Sequence, residues 1–96
     1  MGTLNWTAES ERWLRDIFEY IEAENPAAAI EVVSGIYERA QVLADHPEIG
    51  YRYEASSRNV RILLYGHYRI AYKVAGDVVI ILGVFHGALA IERYLI

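Results

Sequence analysis

The sequence predicts an α+β domain in which an N-terminal strand and a helical hairpin pack on an antiparallel β-meander. Two consecutive segments carry apolar residues at helical spacing, and three short runs rich in β-branched and aromatic residues follow them. Short connections that contain glycine separate these runs, which is typical of β-hairpins. Because 96 residues suffice for one hydrophobic core, we expect a single domain over residues 1–96.

The first segment predicts a strand followed by an amphipathic helix. Residues 3–6 alternate polar and apolar side chains, and Thr7 has the side chain of a helix N-cap. Apolar residues then recur at helical spacing over residues 8–23, with charged residues on the opposite side. Asn25-Pro26 ends this helix, because asparagine caps a following helix and proline suits its first turn. Two helices therefore meet at a tight corner.

The second helix is expected to extend to about Ala44 and to contain a close contact. Gly35 lies inside it, and glycine stabilises a helix by about 1 kcal/mol less than alanine. Small residues of this helix, Gly35 among them, would let the two helices approach closely, so we expect a tight contact at Gly35. Residues 46–50 end the hairpin, and the stretch from there to Asn59 has turn-forming residues without a clear period, which predicts an ordered loop.

The second half of the chain predicts an antiparallel meander of three strands, at residues 60–65, 68–74 and 78–85. The last run is apolar at every position except Gly83, so we expect a central strand buried on both faces. For the same reason the sequence leaves open which face of the sheet the helices cover. Residues 87–96 predict a short terminal helix or tail.

Composition excludes several classes of protein. The chain has no cysteine, which excludes a disulfide framework and a thiolate zinc site, and its three histidines are too scattered for a metal motif. We expect no cofactor and no metal. The N-terminus lacks the pattern of a signal peptide, and the most apolar run has eight residues, too few to cross a membrane. A soluble, cytoplasmic protein is expected.

Charge is unevenly distributed along the chain. The formal net charge is −4, yet residues 9–48 hold ten acids and three arginines, whereas residues 51–73 hold one acid against four arginines and one lysine. This asymmetry indicates an anionic partner for the sheet half, although an acidic chain is a poor general nucleic-acid binder. With 54% hydrophobic residues, we also expect some apolar surface to meet a partner.

Several short motifs occur in a characteristic order along nearly the whole chain. They are Trp6-Thr7-Ala8, Asn25-Pro26 with Ala28-Ala29, Leu43 with Pro47 and Gly50, Arg61, Gly66 with Tyr68-Arg69-Ile70, Tyr72 and Val74, and Val84 with His86. This ordered set resembles the RelE/ParE toxin family, the toxin halves of bacterial toxin–antitoxin modules also known as plasmid stabilisation proteins.

The resemblance implies a small sheet flanked by the helical hairpin and a cognate antitoxin that wraps the toxin. It also implies one of two targets: messenger RNA on the ribosome, which RelE-like members cut, or DNA gyrase, which ParE-like members block. The sequence departs from the family after His86, where Leu89 stands in place of a usual arginine. This departure removes a phosphate-binding cation, for which Arg93, one helical turn beyond, could substitute in part.

Metal-independent RNA cleavage requires a base for the 2′-hydroxyl, a cation for the phosphorane and an acid for the leaving oxygen. If the protein is a ribonuclease, the catalytic candidates are Arg61, Arg69 and His86, while His67, Tyr68 and Tyr94 also supply suitable groups.

Two-residue turns at Gly66-His67 and Gly76-Asp77 predict where these side chains lie. Arg69 would be opposite Leu64 and Val84, and His67 would be opposite His86 on the same face. Arg61 would project from the other face, beside Tyr72. A single bulge would reverse this assignment of faces.

Each candidate also has a purely structural interpretation. Arg69 could pair with a hairpin carboxylate such as Glu31 or Glu38, and His86 could be a satisfied core or edge histidine. The strand tyrosines could form a packed sheet face with hydrated hydroxyl groups, an interpretation that applies to Tyr65, Tyr68 and Tyr72.

Three functions follow from the sequence. The favoured one is a ParE-like toxin, a non-enzymatic inhibitor that contacts DNA gyrase and is neutralised by its antitoxin. The first alternative is a RelE-like, ribosome-dependent messenger RNA endonuclease. The second is a degenerate, non-toxic binding module that still pairs with an antitoxin. A homodimer or a hetero-oligomer with the antitoxin fits each of them.

Overall fold

The computed structural model describes residues 2–54 and 59–87, and within them it contains two helices and one sheet. In chain order the elements are β1 (Thr3–Trp6), α1 (Ala8–Glu22), α2 (Pro26–Gln41), β2 (Tyr51–Arg52), β3 (Arg61–Tyr65), β4 (Tyr68–Ala75) and β5 (Val78–His86). A 3-10 turn at Val42–Ala44 continues α2. The α+β class and the predicted helices and strands are confirmed, and the loop contains one further short strand, β2. The predicted terminal helix or tail lies, beyond Gly87, outside the described residues.

The sheet has five strands in the order β1-β5-β4-β3-β2. The meander formed by β3, β4 and β5 is antiparallel, as predicted, and β2 pairs antiparallel with β3. The N-terminal strand β1 pairs parallel with β5, which makes the sheet mixed. This pairing places β5 between two strands and explains why nearly all of its residues are apolar.

Both helices cover one face of the sheet, which settles what the apolar pattern of β5 left open. They contribute Leu14 from α1 and Ile36 and Ala40 from α2 to the main core, and the 3-10 turn contributes Leu43. They pack on side chains that project from one face of the sheet, namely Leu63, Ile70, Tyr72, Val79, Ile81 and Val84. Burying each large apolar side chain contributes roughly 1.5–3 kcal/mol, so this layer is the main source of stability.

A second buried cluster lies on the opposite face of the sheet. It consists of Val60, Ile62, Ala71 and Phe85, each at most 1% exposed. Trp13 of α1 packs edge-to-face on Phe85, with 4.6 Å between ring centroids. This contact can form because β1 pairs only with the first half of β5, so the helix reaches the strand beyond that point.

Thr7 joins the start of α1 to the central strand. Its Oγ1 accepts a hydrogen bond from the Ser10 amide at 3.1 Å, which confirms the predicted N-cap. The same Oγ1 donates to the Ile81 carbonyl oxygen at 2.8 Å. At the next corner Asn25 caps α2 through the Ala28 amide, also as predicted. Helix positions are therefore set by caps as well as by packing.

The tight contact expected at Gly35 is confirmed, but its partner is a strand residue and not the first helix. A Cβ atom at Gly35 would overlap the hydroxyl oxygen of Tyr65, which lies at the end of β3. The missing side chain therefore allows the tyrosine to lie against α2. In the same region the Arg39 Nε donates to the Leu64 carbonyl oxygen at 3.1 Å, which attaches α2 to β3 a second time.

A hydrogen bond between the two helices perturbs a tyrosine. The Tyr37 hydroxyl of α2 donates to Glu11 Oε1 of α1 at 2.9 Å. Burial, followed by the hydrogen bond and the negative charge of Glu11, raises the pKa of Tyr37 to about 12. Because this folded-state pKa lies above the ordinary value of 10.0, the associated stability is complete below pH 10 and is lost as the pH rises toward 12.

We predict that Glu11→Gln lowers the pKa of Tyr37 but leaves it above 10, because burial, the largest cause, is unchanged. Tyrosine ring-carbon NMR across an alkaline titration would measure this pKa. Glu9→Gln is the matched control, since Glu9 lies in the same turn but contacts Arg12. An unchanged Tyr37 titration in Glu11→Gln would contradict the role of the carboxylate.

Candidate functional site

Arg61 anchors the segment that precedes β2. It lies beside Tyr72 on the face opposite Arg69, as predicted, and this is the face that the helices cover. Its Nη1 donates to the carbonyl oxygens of Gly50 at 2.8 Å and Glu48 at 3.3 Å. Both partners are neutral backbone carbonyl groups, which fix the position of the guanidinium without forming an ion pair with it. Arg61 thus has a structural role whether or not it also binds an anion.

Tyr72 holds the same segment from inside the core. Its ring is fully buried, its hydroxyl donates to the Pro47 carbonyl oxygen at 2.8 Å, and it accepts from the Gly50 amide at 2.9 Å. Burial raises the pKa of the Tyr72 phenol, although the Gly50 amide and the charge of Arg61 oppose this shift. The interpretation of this residue as a tyrosine with a hydrated hydroxyl is therefore wrong.

Arg69 lies on the face opposite Arg61. It pairs with Leu64 on β3, as predicted, but with Phe85 on β5 and not with Val84. Its Nη2 donates to the Gly87 carbonyl oxygen at 3.2 Å. Helix α2 covers the other face, so Glu31 and Glu38, the ion-pair partners suggested by the sequence, lie across the sheet from this guanidinium.

A bulge in β5 explains the corrected register. Ala71 pairs with Gly83 while Tyr72 pairs with Ile81, so Leu82 is an extra residue in the strand. His86 consequently pairs with Tyr68, and the prediction that His67, Arg69 and His86 share one face is wrong.

His86 and Arg61 share the helix-covered face but lie far apart on it. Their partners on β4, Tyr68 and Tyr72, are four residues apart, which is about 13 Å along a strand. The three catalytic candidates therefore do not converge on one point of the sheet.

Two of the three candidates do meet where the strands end. A cleft of about 340 Å³, the terminal cleft, is lined by Leu64, Gly66, His67, Tyr68, Arg69, His86 and Gly87. The imidazole rings of His67 and His86 lie 6.3 Å apart between centroids, with an angle of 26° between their planes. The ring of His86 also contacts the ring of Tyr68 edge-on, with 5.6 Å between centroids. A guanidinium and two imidazoles in one cleft can bind an anion and exchange protons.

A larger cleft adjoins the terminal cleft on the helix side of the sheet. It has a volume of about 520 Å³ and is lined by Trp13, Asp16, Ile17, Tyr20, Tyr68, Val84 and His86. Tyr20 is 84% exposed beside it, and burial, followed by the nearby Tyr20, raises the pKa of Tyr68. Sequence analysis missed this cleft, and its only signal was the placement of Trp13 and Tyr20 beside the apolar stripe of α1.

Other expected site features can be placed only in part. Leu89, Arg93 and Tyr94 lie outside the described residues. Within residues 2–54 and 59–87, no three His, Cys, Asp or Glu side chains are grouped so that they could hold a metal ion. Of the helices described, neither has the length and apolar composition needed to span a membrane.

Comparison with known proteins identifies the family. The sequence model of the family described as the ParE toxin of type II toxin–antitoxin systems, parDE, matches residues 4–90. A protein of Sinorhizobium fredii named "Putative toxin Y4kP" is 33% identical over 78 residues, which are 81% of each chain.

Two solved structures share the fold. One is the chromosomal ParDE toxin–antitoxin system from P. aeruginosa, with a TM-score of 0.79, 22% identity, and coverage of 90% of this chain and 96% of that chain. The other is the toxin–antitoxin complex RelBE2 from Mycobacterium tuberculosis, with a TM-score of 0.58, 23% identity, and coverage of 88% and 96%. The resemblance seen in the sequence motifs is confirmed: the chain belongs to the ParE toxin family of type II toxin–antitoxin systems.

Proposed function

We propose that this toxin inhibits bacterial growth by protein contact with DNA gyrase and that a cognate antitoxin holds it inactive. In this proposal the 96 residues act as a single domain in the cytoplasm. The antitoxin is proposed because the two similar structures are named as a ParDE system and a RelBE2 complex. The membership of the chain in the ParE family favours gyrase over the ribosome.

The separation of Arg61 and Arg69 is the observation that carries the proposal. A metal-independent ribonuclease must concentrate positive charge on one phosphate as it becomes a phosphorane. Here the two guanidinium groups project from opposite faces of the sheet, and Arg61 is bonded to the backbone of residues 48–50. Because the sheet separates the two guanidinium groups, Arg61 and Arg69 cannot bind the same phosphate.

Charge supports the same conclusion. The chain has a formal net charge of −4, and its sequence has Leu89 where a phosphate-binding arginine is usual. Binding to RNA depends on neutralising phosphates with lysine and arginine. A protein with a negative net charge, whose two sheet arginines lie on opposite faces, is therefore poorly suited to it. Contact with another protein does not need such a concentration of positive charge.

A RelE-like endonuclease is the second candidate, and the terminal cleft is the observation that favours it. His67, Arg69 and His86 line this cleft together, so a proton donor, a proton acceptor and one cation are available without Arg61. In this alternative the catalytic residues would be Arg69 and His86, and Arg61 would only position the adjacent segment.

Expression of the chain without antitoxin separates these functions. One assay on the culture reports on gyrase, through plasmid supercoiling and the DNA-damage response, and a second reports whether transcripts are cleaved. We expect growth arrest, loss of negative supercoiling in a reporter plasmid, an induced DNA-damage response and intact transcripts. Co-expression of a neighbouring reading frame with a DNA-binding N-terminus should restore growth.

His86→Ala is expected to leave the growth arrest in place if contact with gyrase is the mechanism. Codon-positioned cleavage of translated messages that His86→Ala abolishes would replace the gyrase proposal with the endonuclease. Normal growth with well-expressed, folded protein would contradict toxicity and favour a non-toxic binding module. Circular dichroism of each variant establishes that it is folded.

A further inference from the structure

A stripe of side chains on α1 lies beside the ends of β4 and β5. Residues 13, 16, 17 and 20 of the helix are spaced by three, four and seven positions, so they share one side of it. All four line the cleft of about 520 Å³ that adjoins the terminal cleft, and Tyr68 lines it from β4. We call it the aromatic cleft. Its volume is in the range of small-molecule binding sites.

Three aromatic side chains line the aromatic cleft. Trp13 packs edge-to-face on Phe85, with 4.6 Å between ring centroids, and this contact holds the indole in place. Tyr20 lies seven residues further along α1, which is about 10 Å along the helix axis. Tyr68 is half-buried, and burial, followed by the nearby Tyr20, raises its pKa. The effect of Tyr20 on Tyr68 indicates that the two phenols lie on the same side of the cleft.

One carboxylate gives the aromatic cleft its charge. Among the described residues that line it, Asp16 is acidic and none is a lysine or arginine. The arginines of α1 lie elsewhere, since Arg12 contacts Glu9 and Arg15 lines a separate groove between α1 and α2. The faces of aromatic rings carry partial negative charge, so the rings and the carboxylate together attract a cation and repel an anion.

We propose that the aromatic cleft binds a quaternary ammonium ligand, a small molecule whose cationic head carries only alkyl groups. Such a head has no N–H group to satisfy, so aromatic faces and one carboxylate suffice to bind it. A primary ammonium is strongly hydrated and has three donors to satisfy. Calcium and magnesium ions need several oxygen ligands, whereas the described lining holds a single carboxylate.

This inference goes beyond the proposed function. Its occupant is a free small molecule and therefore differs from both proteins of that proposal, the antitoxin and gyrase. The site is formed by the chain alone, so binding can be measured without either of them.

Choline and its neutral isostere 3,3-dimethylbutan-1-ol test the proposal with the purified full chain. The isostere has carbon in place of the quaternary nitrogen, so it keeps the shape and loses the charge. We expect choline to bind with a millimolar dissociation constant and the alcohol to bind at least about fivefold more weakly.

NMR of the two tryptophan indole N–H groups measures this binding at the proposed site. The signal of Trp13, which lines the aromatic cleft, should shift and saturate as choline is added. Trp6 packs on Tyr37, with 4.6 Å between ring centroids, and is an internal control whose signal should not move.

Substitutions on α1 separate the effect of charge from that of the aromatic faces. Asp16→Asn should weaken choline binding by about two- to fivefold. Glu19→Gln removes the same charge from outside the aromatic cleft and should change binding by less than about 1.5-fold. Tyr20→Leu should weaken binding by about two- to fivefold, whereas Tyr20→Phe keeps the ring and should stay within about 1.5-fold. Tyr20 is 84% exposed, so both of its variants are expected to fold.

Equal binding of choline and the neutral alcohol would overturn the proposal, because it would show a cleft that does not select for charge. Equal losses in Asp16→Asn and Glu19→Gln, equal shifts of both indoles, or no saturable Trp13 shift at concentrations that fill a millimolar site would overturn it as well.

N-acetyl-lysine amide and N-acetyl-arginine amide test whether the cation belongs to a protein instead. Tighter binding of either compound than of choline would overturn the proposal of a free ligand in favour of a side chain of a protein partner. Neither growth nor gyrase enters these measurements, so their failure leaves the proposed function standing.

Discussion

Replacing Phe85 with alanine is expected to lower the free energy of unfolding by about 3–5 kcal/mol, the typical loss for a buried phenylalanine. Phe85 is 1% exposed, and its ring packs edge-to-face on Trp13 at 4.6 Å. Natural domains of this size are stable by only about 5–15 kcal/mol, so this change removes a large share of the total. Urea unfolding followed by circular dichroism would measure the loss.

Leu64→Ala is the matched control for Phe85→Ala. Leu64 projects from the same face of the sheet, separated from Phe85 only by Arg69, but it is 52% exposed. Its truncation should change stability by less than about 1 kcal/mol. Similar losses in the two variants would show that the face opposite the helices is not a second core.

Tyr72→Phe is expected to destabilise the protein by about 2–4 kcal/mol even though the ring is retained. The change leaves the Pro47 carbonyl oxygen and the Gly50 amide without the hydroxyl that bonds both. A buried polar group that loses its partner typically destabilises by about 1–3 kcal/mol. Urea unfolding gives the total, and faster hydrogen exchange of the Gly50 amide would assign the effect to this segment.

Tyr68→Phe provides the comparison for Tyr72→Phe. Tyr68 is on the same strand and face but is only half-buried, at the edge of the terminal cleft. We expect a change below about 1 kcal/mol. Unaltered exchange at Gly50 in Tyr72→Phe would mean that Arg61 alone holds residues 47–50.

The fold was predictable because its local signals agree with one another. The cap at Thr7, the Asn25-Pro26 corner and the glycine-containing turns each specify a boundary through local chemistry, and the structure has boundaries at these places. The parallel pairing of β1 with β5 was not predictable. The pairing depends on where the packed helical hairpin places β1 relative to the sheet, and no residue in β1 specifies that position.

The candidate site was predictable only up to the bulge. From the Gly76-Asp77 turn the register is regular as far as Tyr72 and Ile81, and Arg61 lies beside Tyr72 as expected. Beyond this point Leu82 shifts every pair by one residue. Gly83 follows the extra residue, and a Cβ atom there would lie 2.6 Å from the Phe85 ring, so the glycine makes room for that side chain. An isolated glycine in a strand indicates such a feature without specifying its position or direction.

The pairing of β1 with β5 also affects the order in which parts of the molecule can fold. Trp6 finds its partner Ile81 seventy-five positions later, and Thr7 bonds that same residue. Contacts between such distant parts of a chain form late and slow folding. A growing polypeptide on the ribosome can thus form the helical hairpin early, but that hairpin must wait for β5 before its apolar side is fully covered. A messenger truncated before codon 78 would yield a product without the central strand, and hence without either core.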